Sequence, residues 1–143
     1  MNGNELILLR KIEDLENYIK RVPEVGGVWQ DWTPTITASG SMTISGVTIN
    51  KARYCIIGKT FIFTIRASFT TGGTTSTTVY FSTPAQSESS YYAYAAVVGD
   101  TSAAAAYTFH FSTLSVGVRK ADGTNWGLGA SRYFVVSGSF EIA

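Results

Sequence analysis

The sequence predicts a mainly β protein: an antiparallel β-sandwich or jelly-roll-like knob, preceded by a short N-terminal coiled-coil helix. Three observations carry this prediction. Hydrophobic spacing is about 3.5 residues up to Val22 and about 2 beyond Trp29. All 33 Ser and Thr residues follow Gly27, whereas nine of the 21 charged residues precede it. Turn-forming Gly, Asn and Asp punctuate the later region, and no helical period recurs between its apolar runs, which argues against a doubly wound α/β fold. The chain accordingly divides into a helix over residues 1–24, a linker over 25–31 and a β domain over 32–143.

In the first segment Leu8, Ile12, Leu15, Ile19 and Val22 are spaced 4, 3, 4, 3, a heptad seam with Ile at a and Leu or Val at d. Asn4 is the expected N-cap, Glu5 suits the positive helix start, and Lys20 and Arg21 suit the negative end before Pro23 stops the helix. Lys11 at g and the following Glu16 at e can pair between parallel chains. A helix of this length is marginal alone, so it packs on its own domain or joins copies of the chain as a coil. The narrow stripe and the linker Val25-Gly26-Gly27-Val28 favour the coil. The a/d residues nominally favour dimers, and a following domain with three-fold symmetry would override them.

Beyond the linker, Phe61, Phe63, Ile65, Ala67 and Phe69 alternate with Thr60, Thr64, Arg66 and Ser68, with Ile62 the exception, which predicts a half-buried strand. Thr70 to Thr74 is expected to turn the chain into a returning strand over Thr77 to Thr83, ended by Pro84. Further strands are expected at Met42 to Asn50, Lys51 to Ile57, Tyr91 to Val98, Tyr107 to Lys120 with a break near Ser112, and Arg132 to Ile142. Gly58-Lys59, Gly99-Asp100 and Ala121 to Thr124 supply turns. Ala103 to Ala106 fits either a short helix or a close backbone contact.

With 143 residues there is room for one core and an accessory segment. A net charge of +1 gives no electrostatic case for nucleic acid or an anionic membrane. Charged residues make up 15% of the chain, against about 25% on average, so obligate self-association is expected of so uncharged a surface. The lone Cys55 cannot form an internal disulfide. Leu6 to Leu9 is too short a run for a signal-peptide core, and no stretch approaches a membrane helix; the chain reads as made in the cytoplasm, with no membrane insertion.

No catalytic residues are expected. The β domain holds five carboxylates, Asp31, Glu88, Asp100, Asp122 and Glu141, and no spacing selects a glycosidase pair among them. His110 stands alone on a strand and reads as a hydrogen-bonded structural histidine. One His and one Cys make no zinc site, no phosphate loop is present, and neither metal nor cofactor is expected. What remains is aromatic: Tyr92 and Tyr94 on one strand face, and Trp126 beside Asp122 and Asn125 after a turn, form the candidate ligand-binding set, because a flat ring with adjacent polar groups suits a sugar or peptide. The alternative is that these rings are core or interface residues. Trp29 and Trp32 are expected to fasten the coil to the domain.

The run Trp32-Thr33-Pro34-Thr35, Ser39-Gly40, Ala52-Arg53-Tyr54, Ile57-Gly58-Lys59 and the aromatic strand through Phe61 and Phe63 to Thr83-Pro84 resembles a segment of fibre and tail-associated proteins of tailed bacteriophages. The likeness covers roughly residues 28 to 84, and residues 85 to 143 are similar only in style. It implies a virion structural protein, a homotrimer rather than a dimer, released by lysis. Its N-terminal segment would dock on another virion protein, and its β domain would bind a host-surface glycan or protein. The chain lacks the shaft repeats of a long fibre, so a head fibre, a capsid decoration protein without a specific ligand, or a small tail appendage are the alternatives. A glycan depolymerase is the remote one.

Overall fold

The computed structural model describes residues 2–25, 27–89, 94–100 and 103–143; within these, the side chains of residues 18–25 and 103 are not described. Helix α1 spans Gly3–Val25, about 35 Å at 1.5 Å per residue. Its start is a reciprocal cap: Asn2 Oδ1 accepts from the Glu5 N–H at 2.9 Å, and Glu5 Oε2 accepts from the Asn2 N–H at 3.0 Å. Asn2, not Asn4, is therefore the N-cap. Asn4 lies inside the first turn, where its side chain cannot reach the leading amides. The helix also runs two residues past Pro23, so the proline does not stop it where expected. Asn2→Ala removes the side-chain half of this cap, the bond to the Glu5 N–H, and is expected to cost about 1 kcal/mol of helix stability, read as earlier loss of the 222 nm helical signal on heating.

The nine strands are β1 (Gln30–Asp31), β2 (Ile36–Ala38), β3 (Met42–Ile57), β4 (Thr60–Gly73), β5 (Val79–Ser82), β6 (Ala95–Gly99), β7 (Ala103–Ser112), β8 (Ser115–Lys120) and β9 (Gly129–Glu141). All belong to one antiparallel sheet in the order β1-β3-β4-β9-β6-β7-β8-β5-β2. The sheet is curled, and its two ends are held by a single stretch of chain. Gln30 and Asp31 pair with Tyr54 and Arg53 of β3, the Trp32 N–H reaches Ala52 O, and Ile36 to Ala38 then pair with Phe81 to Val79 of β5. Part of the predicted linker is thus strand.

Strand β4 obeys the expected alternation, with Phe61, Phe63, Ile65, Ala67 and Phe69 all buried on the inner face. Phe81 of β5 packs its ring 5.5 Å from Phe134 of β9 and 6.0 Å from Phe63 of β4. β5 neighbours neither β9 nor β4 in the sheet, so its ring meets theirs across the interior. Val79, Val98, Val116, Val118, Val136 and Phe140 belong to the same core. The β3–β4 hairpin closes through Gly58-Lys59, where Gly58 adopts φ +60° at the first central position of a two-residue turn.

Several predicted boundaries move. Met42 to Ile57 is one strand carrying two register shifts, between Ser45 and Thr48 and between Ile49 and Lys51, because bulges bend a strand without ending it. Thr70 to Gly73 is strand rather than turn, paired with Met42 to Ser45. Buried Thr71 explains this: its hydroxyl donates to Gly127 O at 2.7 Å and accepts from the Gly129 N–H at 3.1 Å. Consequently β4 and β5 form no hairpin, and β5 lies between β8 and β2. Ala103 to Ala106 is strand, paired with β6, and the expected break near Ser112 is the β7–β8 turn.

Candidate functional site

The predicted aromatic site does not assemble. Trp126 has no exposed surface; its ring centre lies 5.7 Å from that of Phe69, and its Nε1–H points at Val118 O, 3.4 Å away. The turn before it sends the chain inward, because the Asp122 carboxylate accepts both the Thr124 N–H at 2.9 Å and the Thr124 hydroxyl at 2.7 Å. Those two bonds hold the Asp122 pKa below its ordinary value. Asp122 and Asn125 are exposed, but Asn125 is bonded to Thr75 Oγ1 at 3.1 Å. Tyr94 is 8% exposed, and Tyr92 lies outside the described residues. Trp126 and Tyr94 are therefore core residues, a correction that follows from the apolar area such rings remove from water.

The Tyr94 hydroxyl hydrogen-bonds His110 Nε2, while His110 Nδ1 lies 3.1 Å from Ser112 O. A carbonyl only accepts, so the proton sits on Nδ1 and Nε2 accepts from tyrosine. Burial lowers the His110 pKa, so the ring is neutral near pH 7 and serves the core.

One ionic cluster was not legible in the sequence. Asp100 lies 3.0 Å from both Lys120 Nζ and Arg132 Nε, with all three side chains largely buried. Its carboxylate also accepts the Gly127 N–H at 2.9 Å, and Arg132 reaches Leu128 O at 2.7 Å and the Asp100 carbonyl. Burial alone would raise the Asp100 pKa, but the Gly127 N–H, Lys120 and Arg132 together hold it below the ordinary value. This cluster locks the Gly127–Leu128 loop and presents no free acid.

Two exposed features remain. On α1, Leu8, Ile12 and Leu15 are 60%, 45% and 58% exposed, and Leu6, Ile7 and Leu9 are exposed beside them. The side chains of Ile19 and Val22 lie outside those described. The described part of the helix's apolar seam, Leu8, Ile12 and Leu15, is thus uncovered within one chain.

The second feature lies on the outer face of β3, β4 and β9. Lys51 and Arg66 stand directly opposite each other in the β3–β4 register, both exposed. Asp31 engages their neighbour Arg53 at 3.0 Å, and no ion pair among the described residues reaches Lys51 or Arg66. A hollow of 250 Å³ opens on one side, lined by Trp29, Lys51, Arg53 and Thr64. Another, of 430 Å³, opens on the other, lined by Arg66, Asn50, Ser68, Thr70, Ser131 and Tyr133 among others. Ser131 holds φ +61°, the one non-glycine residue among those described with a left-handed backbone. The Tyr133 ring lies flat against Gly99, where a Cβ would come within 1.9 Å of it.

Among the described residues no group of three or more His, Cys, Asp or Glu is placed to hold a metal ion, and no helix is long and apolar enough to cross a membrane. No family model, curated protein or solved structure matches the chain.

Proposed function

We propose that the chain is a structural virion protein of a tailed bacteriophage: a short, non-catalytic homotrimeric fibre or appendage. In this reading α1 joins the three chains and docks on another virion protein, and the β domain acts as a sandwich-like knob that meets a host-surface glycan or protein. The observation that carries it is the uncovered seam of Leu8, Ile12 and Leu15 on a capped helix. An apolar stripe of this kind is stable in water only when covered. The likeness of residues 28 to 84 to phage fibre segments supports three chains rather than two. The cross-interior packing of Phe81 on Phe63 and Phe134 supports the sandwich-like description.

A mass measurement in solution tests the assembly. The expected species is three times the 15.4 kDa chain, and Leu8→Asn/Ile12→Asn/Leu15→Asn is expected to give a folded monomer. A wild-type monomer at micromolar concentration would overturn the trimer. The burial of Trp126 and Tyr94 favours, as a second reading, a capsid decoration protein without a ligand. Particles lacking the protein would then adsorb normally and lose resistance to heat.

A further inference from the structure

We infer that the outer face of β3–β4–β9 binds an acidic polysaccharide, one whose sugars carry carboxylate or phosphate groups, with Lys51 and Arg66 at the centre of the site. This deepens the attachment role proposed above and rests on that reading. Like charges directly opposite across an antiparallel pair repel, so a chain gains nothing in stability from placing Lys51 against Arg66. Among the described residues no ion pair reaches either side chain, and Asp31, on the adjoining strand, is paired with Arg53, so the counter-charge is left to the solvent or to a bound anion. The Arg66 guanidinium offers a planar fork of donors that fits a carboxylate or phosphate.

The surroundings select a sugar polymer. The two hollows follow one another along β4, with Thr64 lining one and Arg66, Ser68 and Thr70 the other, a stretch of about 20 Å at strand rise. Trp29 lines the first hollow, 44% exposed, and Tyr133, opposite Ser68 in the β4–β9 register and held by its close approach to Gly99, lines the second. Aromatic faces suit the apolar faces of sugar rings. Ser68, Thr70 and Ser131 give the second hollow hydroxyls that donate and accept. Nucleic acid is disfavoured, because tight binding to its backbone takes several neutralised phosphates, and the site offers two unpaired cations on a chain of net charge +1.

The full-length protein is titrated by calorimetry with alginate oligosaccharides, a glycerol-phosphate polymer, neutral dextran oligosaccharides and a single-stranded oligonucleotide. Binding to at least one acidic glycan is expected, weakened on going from 50 to 500 mM NaCl in the manner of a charge-assisted contact, with none to dextran. Lys51→Gln/Arg66→Gln is expected to weaken it at least tenfold while leaving the melting temperature unchanged or raised. The inference is overturned by equal binding of dextran, by equal binding of the double variant, by absence of binding to both acidic polymers, or by an oligonucleotide that binds as tightly as the better glycan. A trimer that binds none of them overturns this site and leaves the assembly standing. A monomer that binds alginate overturns the assembly and leaves the site.

Discussion

Trp126→Ala will destabilise the β domain by about 4 kcal/mol, lowering its melting temperature by roughly 15 °C. The indole is fully enclosed beside Phe69 and its N–H faces Val118 O, so truncation leaves a large cavity and strips a partner from a buried carbonyl. The cavity cannot collapse easily. Its floor is the rigid strand pair β4 and β9, and its roof is the loop locked by Arg132. Differential scanning calorimetry reads the result. A variant melting within about 2 °C of wild type would show that the ring does not carry the core, and would return Trp126 to the role of a surface contact.

Asp100→Asn comes next in size, at about 3 kcal/mol near neutral pH. The amide can still accept the Gly127 N–H, but Lys120 and Arg132 then share a largely buried site without a counter-charge. Denaturant unfolding at pH 7 measures the loss. The pH dependence has a definite sign. Because the folded pKa of Asp100 lies below its unfolded value, the carboxylate contributes fully above about pH 4. That contribution is lost as pH falls from there through the folded pKa. The gap between wild type and Asp100→Asn should therefore narrow on acidification and be constant between pH 5 and pH 7. A gap that widens in acid would sink the assignment.

The parts of the fold that the sequence exposes are those written in local periodicity. The alternation of Phe61 to Phe69 and the Gly58-Lys59 turn are both properties of neighbouring residues, and both survive in β4 and its hairpin. Properties set by distant residues were hidden. Thr70 to Gly73 resembles a turn because it holds two glycines, yet Thr71 bonds to Gly127 and Gly129 more than fifty positions away. Asp100, Lys120 and Arg132 look like separate surface charges until β6, β8 and β9 bring their ends together.

Trp126 misled for a related reason. A tryptophan beside Asp and Asn has the composition of a binding loop, and only the inward turn set by Asp122 and Thr124 decides that it is core. The Lys51–Arg66 pair lies in the unshifted part of the hairpin, where counting from Gly58-Lys59 places the two opposite each other, but it is invisible when each strand's alternation is read alone. A signal was nevertheless present, since both residues interrupt an otherwise nearly uncharged pair of strands.

The stretch from Gln30 to Ala38 does more than fill a gap between β3 and β5. A β-rich domain with so few charges is prone to polymerise by strand addition wherever a long unpaired strand offers its amides and carbonyls. Here the two ends of the sheet are strands of two and three residues, supplied by one continuous piece of chain, which occupies β3 at Arg53 and Tyr54 and β5 from Val79 to Phe81. Strand addition is blocked at those positions, and the helix enters the domain at that same point.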